Sequence, residues 1–255
     1  MPRNPASWEP CRAMSNPQNF ILASLSEAER SVLLADAAQF PLKFNETVLE
    51  PEEPVTHVYF PESGVISIIT EAANGEAAEG GVTGSEGAAA LPEALGSEIM
   101  RSRGVVQAEG TAWRVKASAC RALFDASERF RRATAKAAEF QTVEARQSLL
   151  CRSYHPVDQR LARWILEMAE RDNARSGTLP MTQEILSVML AVQRTTVTAA
   201  VSRLRKAGLI SNLRGRIVLA DVEGLEKAAC GCRAAVRDAE AAILGRKRPW
   251  PSRLS

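Results

Sequence analysis

Between Thr182 and Asp221 the spacing of apolar positions changes from helical to strand-like. Ile185, Leu186, Met189 and Leu190 recur at helical spacing behind Thr182, whose hydroxyl suits the exposed amides of a helix start, and Glu184 lies where the helix dipole favours an acid. Ala191-Val192 leaves room only for a sharp corner. A second helix is predicted from about Gln193 to Ala207, ended by Gly208, with Val197, Ala200, Val201 and Leu204 on one face. Leu209-Ile210 and Ile217-Val218-Leu219 then read as two strands around the basic turn Leu213-Arg214-Gly215-Arg216. Helix, tight turn, helix and basic hairpin in this order predict a winged helix-turn-helix.

Upstream the pattern is different. Residues 1–16 are aperiodic and Pro- and Ser-containing, which predicts a flexible tail. LASLSEAERSVLL gives a short helical opening, and after Phe40 come β-rich runs at Val48-Leu49, Val55 to Phe60 and Val65 to Thr70. Asn74-Gly75 is a strong hairpin signal, because both residues tolerate positive φ. A last strand near Gly104 to Val115 completes an antiparallel roll, whose interior can hold a ligand. Ser118 is a candidate cap for a helix through Phe124. A long helix follows from about Glu128 to Ser153, on which Phe130, Ala133, Ala137 and Phe140 form a stripe suited either to pairing with a second copy or to packing on the chain's own roll. His155-Pro156 breaks it, and a new helix starts at Val157 with Leu161, Trp164, Ile165 and Met168 inward.

The expected fold class is therefore α+β: an N-terminal antiparallel, jelly-roll-like β-roll, a long dimerisation helix and a C-terminal winged helix-turn-helix. Expected boundaries are 1–16 for the tail, 17–126 for the roll, 127–154 for the helix, 155–228 for the winged domain and 229–255 for a C-terminal tail ending in basic RKRPWPSRLS.

A formal charge of +2 with 45% hydrophobic and 24% charged residues is ordinary globular composition. The distribution is more informative. Thr182 to Asp221 carries six bases (Arg194, Arg203, Arg205, Lys206, Arg214, Arg216) against two acids, whereas Pro17 to Ala126 carries sixteen acids against seven bases. A basic end on an acidic body orients its encounter with a polyanion. The outer face of the second helix offers Gln193, Arg194, Thr195, Thr198, Ser202 and Lys206, and the hairpin adds Arg214 and Arg216. Arg and Gln can bond base edges in pairs, a Thr methyl can meet a thymine methyl, and the hairpin arginines suit phosphates. Double-stranded DNA is the expected partner.

VYFPESGVIS (Val58 to Ser67), GSEG (Gly84 to Gly87), RLARWIL (Arg160 to Leu166) and LPMTQEILSVML followed by VQRTTVTAAVSRLRKAGLI together resemble the Crp/Fnr family of bacterial transcription regulators. The resemblance runs from Phe20 to Cys232. It implies a homodimer joined along the long helix, on a two-fold operator, with RNA polymerase a candidate further partner and a small-molecule effector of unknown identity in the roll. The family's recognition arginine falls on Arg194, but Thr195 stands where an acid usually follows and Ala199 where a later arginine falls, so the operator should differ. Members that bind cyclic nucleotides use a Gly-Glu pair for the ribose and an Arg-Ser pair for the phosphate. The corresponding residues here are Gly84, Glu86, Gly87, Ser102 and Arg103, with the acid displaced by one and Ser102 at the phosphate position. The family's purine contacts fall near Ala145 and Arg146. Cyclic AMP is therefore not expected to be the switch.

An effector-binding signalling module whose winged domain contacts protein is the alternative reading. No nucleophile elbow, phosphate loop, paired-histidine metal motif or dinucleotide fingerprint is present, and the chain is not expected to be an enzyme. No apolar run reaches the ~20 residues of a membrane span, the N-terminus lacks a signal-peptide core, and the expected location is cytoplasmic. Five scattered cysteines (Cys11, Cys120, Cys151, Cys230, Cys232) suit a reducing compartment, and the N-terminal region offers only Cys11 toward a four-iron cluster. Cys230-Gly-Cys232 reads as a thiol pair packing a terminal helix or as a redox pair. Neither it nor His57 or His155 has ligand partners at metal spacing, so no metal and no cofactor are expected.

Overall fold

The computed structural model describes residues 17–171, 178–213 and 215–247. The expected 1–16 tail, Arg214 and the last eight residues lie outside them. The helical opening divides into α1 (Phe20–Ser24) and α2 (Glu27–Leu34), each with its own side-chain cap. Asn19 accepts from the amides of Ile21 and Leu22, and its own amide donates to the carbonyls of Pro61 (3.0 Å) and Gly87 (2.8 Å), so one buried residue fixes α1 to the roll. Ser26 and Glu29 form a reciprocal capping box on α2. Glu29 also accepts from Ser127 Oγ at 2.5 Å, and Ser127 caps the long helix.

The roll consists of β1 (Ala38–Leu42), β2 (Thr47–Leu49), β3 (His57–Pro61), β4 (Val65–Glu71), β5 (Ala77–Thr83), β6 (Arg103–Ala108) and β7 (Gly110–Lys116), with α3 (Leu91–Leu95) between β5 and β6. They form two antiparallel sheets, β1-β7-β3 and β2-β6-β4-β5. Asn74-Gly75 turns β4 into β5 as expected, with Gly75 at φ 84°. The single last strand is in fact two, β6 and β7, in different sheets. The corner is built on glycines: a Cβ on Gly64 would lie 2.7 Å from the Ala108 carbonyl oxygen, and one on Gly110 would collide with the carbonyl of Ser63.

α4 (Ala117–Ala126) starts without a side-chain cap, so Ser118 does not take that role. α5 (Glu128–Tyr154) follows within a residue of its expected bounds. Its stripe turns inward. Phe130, Ala133 and Ala137 belong to the core of the roll with Ile21, Phe60, Ile66 and Trp113, and Phe140 packs with Val236 and Leu244 of the same chain. The stripe therefore serves the chain's own core and is not a free pairing seam. α6 (Val157–Arg171) begins where expected, and its apolar face joins a second core with Val197, Ala200, Ile217 and Leu225, into which β4 and β5 send Val65, Ile69 and Val82.

Beyond it lie β8 (Thr178–Pro180), α7 (Gln183–Leu190), α8 (Arg194–Lys206), β9 (Ile210–Leu213), β10 (Arg216–Leu219), α9 (Val222–Ala228) and α10 (Cys232–Leu244). The wing is three-stranded, β8-β10-β9, where the sequence suggested two strands. Much of the expected 229–255 tail is helix α10, which lies on α5 through Val236 and Leu244. Among the described residues no single helix is long and apolar enough to cross a membrane.

One buried acid makes folding pH-sensitive. Glu79 on β5 accepts from Ser67 Oγ at 2.7 Å, and burial pushes its pKa up to about 7 against the opposing pull of Ser67, Arg152 and Arg163. The folded protein thus keeps a proton that the unfolded chain loses near the ordinary carboxyl value of 4.5, and this contribution to stability is lost as pH rises from there through about 7. The slope expected from one such group is about 1.4 kcal/mol per pH unit inside that window. Glu79→Gln should remove this contribution from the decline in urea-unfolding free energy between pH 5 and 7. An unchanged slope would mean that Glu79 is charged in the folded state.

Candidate nucleic-acid interface and sensor pocket

The two helices of the turn motif owe their geometry to local chemistry. Thr182 Oγ1 accepts from the Ile185 amide at 3.2 Å and starts α7, and Ala191 adopts a left-handed φ of 49° to end it. The chain bends by 103° between α7 and α8. Val197, Ala200, Val201 and Leu204 bury one face of α8, which leaves Gln193, Arg194, Thr195, Thr198 and Lys206 exposed and Ser202 half-buried on the other. The sequence-derived residues of this face therefore lie together on one outward surface. Thr198 Oγ1 is held by Gln183 Oε1 at 3.0 Å and the Arg194 carbonyl at 2.9 Å. Arg194 pairs with Glu184 of α7, an exposed and therefore weak contact that a stronger anion can displace.

Two of the basic residues are engaged within the chain. Arg203 forms a two-pronged bond to Asp158 at 2.5 and 2.7 Å, which fixes α8 to the start of α6. Buried Arg160 donates to the carbonyl of Leu190 and satisfies the end of α7. On the wing Arg216 is exposed, 3.3 Å from Thr178 Oγ1, next to Gly215 at φ 79°. Arg214 lies outside the described residues.

In the N-terminal half, a cavity of about 450 Å³ opens between the roll and α5. Val82, Ala89 and Met100 give it apolar walls, and Glu93, Gln141 and Arg146 give it polar ones. Ala145 and Arg146 also line it. The five effector residues proposed from sequence do not converge there. Glu86 is sealed beneath the surface, accepting from the Gly84 amide at 2.8 Å and from Arg171 Nη1 at 2.6 Å, and Arg246 from the C-terminal segment binds the Ser85 carbonyl and hydroxyl at 2.9 Å each. Gly87 accepts from Asn19. Ser102 meets Thr70 Oγ1 at 3.2 Å, and Arg103 pairs with Glu50 and Glu71.

Sequence reasoning missed Arg171, which bonds Glu86 and Glu144 at once and joins the GSEG loop, α5 and α6. Nothing in the local pattern marks it, since an arginine at a helix end is ordinarily solvated. The expectation that Cys230 and Cys232 lack ligand partners is corrected by the fold. Cys151 of α5 and His155 at its cap meet them, because α10 folds back onto the long helix. The i,i+4 spacing of Cys151 and His155 was the available signal.

A family model described as the Crp-like helix-turn-helix domain matches residues 159–228. No curated protein sequence matches the chain. Solved structures do. FixK2 from Bradyrhizobium japonicum is 19% identical with a TM-score of 0.64, covering 76% of this chain and 98% of its own. A putative transcriptional regulator of the Crp/Fnr family from Eubacterium rectale is 16% identical, TM-score 0.66, covering 80% and 94%. The c-di-GMP-responsive global regulator CLP of Xanthomonas campestris is 16% identical, TM-score 0.64, covering 77% and 100%. Residues 159–228 are thus a Crp-like helix-turn-helix domain, and the chain has the fold of Crp/Fnr-type transcription regulators.

Proposed function

We propose that this chain, a Crp-like helix-turn-helix on a Crp/Fnr-type fold, is a sequence-specific DNA-binding transcription regulator that acts as a homodimer on an inverted repeat and responds to an effector in the cavity beside α5. The observation that carries the reading is the exposed face of α8, where Gln193, Arg194, Thr195 and Thr198 lie outside the apolar core, Gln193 and Arg194 along a cleft shared with the β4–β5 hairpin, while Arg216 is exposed on the wing. Such a face fits a major groove, and the wing fits the adjoining backbone. Pairing is proposed on the free side of α5, where Leu149, Leu150 and Tyr154 are exposed.

The test is equilibrium binding to DNA selected from a random pool. An inverted repeat with half-sites roughly 34 Å apart should be recovered, and full affinity on one half-site would sink the dimer. Arg194→Ala should cost about 1–3 kcal/mol and relax preference at one position per half-site, whereas Arg216→Ala should weaken all sequences alike. Uniform weakening by both would move base reading off α8.

Cyclic AMP is not the proposed effector. Its phosphate would need a fixed cation, and the cavity offers Arg146 as its one basic side chain among the described residues, against Glu93 and Glu144. Calorimetry of the purified protein should give no heat of binding at micromolar cyclic AMP. Binding there, coupled to tighter operator affinity, would reverse this reading.

A further inference from the structure

We propose that Cys151, His155, Cys230 and Cys232 form a closed site for one zinc ion that clamps the end of α5 to the corner between α9 and α10. The ligand atoms of all four residues lie within 4.8 Å of one another, with Cys151 Sγ 3.4 Å from Cys230 Sγ and Cys232 Sγ 3.4 Å from His155 Nδ1. A tetrahedron with zinc–sulfur bonds of about 2.3 Å has edges of about 3.8 Å, so one ion can reach all four with small side-chain adjustments. An iron–sulfur cluster places several metal atoms between its thiolates and would need them farther apart.

The donor set also selects the metal. Three sulfurs and an imidazole favour a thiophilic ion over magnesium or calcium, and four protein donors leave no open position, the mark of a structural site. Local structure presents these donors together. Cys151 and His155 are four residues apart, on one face of the last turn of α5 and its cap, where the His155 amide still bonds the Cys151 carbonyl at 3.0 Å. Cys230 and Cys232 flank Gly231 at the corner where α9 has ended and α10 begins. The three cysteines are buried and His155 is half-buried, so water does not hold the thiols apart. Zinc with three thiolates carries a net charge of −1, and the guanidinium groups of Arg160 and Arg163 act on Cys151 and Cys230 with the opposite sign.

The position gives the ion a task. His155-Pro156 is the joint between the long helix and the helix-turn-helix domain, and α10 leaves that domain to return along α5. One ion would therefore fasten both ends of the DNA-binding domain to the helix that borders the sensor cavity.

The experiment uses the full chain purified in reductant. Metal analysis should find one zinc per chain that resists dialysis, and cobalt(II) added to chelator-stripped protein should give the intense visible bands of a tetrahedral ion together with thiolate charge transfer. Cys232→Ser should lose the zinc to chelator, while Cys120→Ser, a buried thiol in α4, should keep it. Cobalt titration of the unmutated chain needs no variant to fold. Substoichiometric metal with an octahedral cobalt spectrum would overturn the proposal, as would acid-labile sulfide with iron, or a Cys151–Cys230 disulfide recovered by mass spectrometry in place of the ion. None of these readouts depends on DNA binding.

Discussion

Arg171→Met should destabilise the fold by about 3–5 kcal/mol, the range for stripping one partner from a buried ion pair. The Arg171 side chain is 3% exposed, Nη1 lies 2.6 Å from Glu86 Oε1, Nη2 bonds Glu144, and the two carboxylates are 1% and 8% exposed. Burial alone would lower the arginine's pKa, but Glu144 and Glu86 more than offset it and hold the value above the ordinary one. Without the guanidinium, two carboxylates would share a dry site stripped of the cation that joins them, and the Gly84 amide, 2.8 Å from Glu86, supplies a hydrogen bond but no charge. The triple variant Glu86→Gln, Glu144→Gln and Arg171→Met should recover most of the stability, because the cost lies in burying the two carboxylates without that guanidinium and not in the pair's net worth. Urea unfolding of the three proteins measures both effects. A destabilisation below about 1 kcal/mol for the single variant would mean that water reaches the triad.

Under the proposed function the triad would also bear on signalling. It ties the GSEG loop, the long helix and the far end of α6 to one guanidinium, so a displacement of α5 by a ligand in the cavity would be felt at α6. Glu144 is both a lining residue of that cavity and a partner of Arg171.

The parts legible in the sequence were those governed by local rules. Thr182 as a cap, the α7 and α8 apolar faces, the Asn74-Gly75 hairpin and the break at His155-Pro156 each depend on a few neighbouring residues, and each stands as expected. What was not legible depends on contacts between distant segments. The β1 strand AQFPL and the three-residue β8 are too short, and contain prolines, so their strand character comes from β7 and β10 beside them. The Phe130 to Phe140 stripe had two physically sound partners, and periodicity cannot choose between a second copy and the chain's own roll. The same limit hid the cluster of Cys151, His155, Cys230 and Cys232: a helix i,i+4 pair and a Cys-x-Cys are each ordinary alone, and only the return of α10 along α5 brings them together.

The proposed DNA interface should also show itself through salt. Arg205, Lys206 and Arg216 are exposed on the helix-turn-helix domain, and two copies bring six such cations, the lower end of the range of roughly six to ten phosphates neutralised. Over that range affinity falls roughly 10³–10⁵-fold between 50 and 200 mM salt, because each neutralised phosphate releases its counterion. Individual residues should divide sharply. Lys206→Ala and Arg216→Ala should each flatten the plot of log affinity against log salt by about 0.9 for every phosphate left without its cation, hence about two in a dimer. Arg203→Ala should leave it unchanged, since its guanidinium is already held by Asp158 at 2.5 and 2.7 Å. The acidic roll works against the slope, as added salt screens its repulsion of DNA, so removing α8 and wing charges should expose a weaker or even reversed dependence. Fluorescence anisotropy across a salt series decides it. A shallow slope for the unmutated protein, or an effect of Arg203→Ala equal to that of Arg216→Ala, would place the phosphate-binding residues on another face.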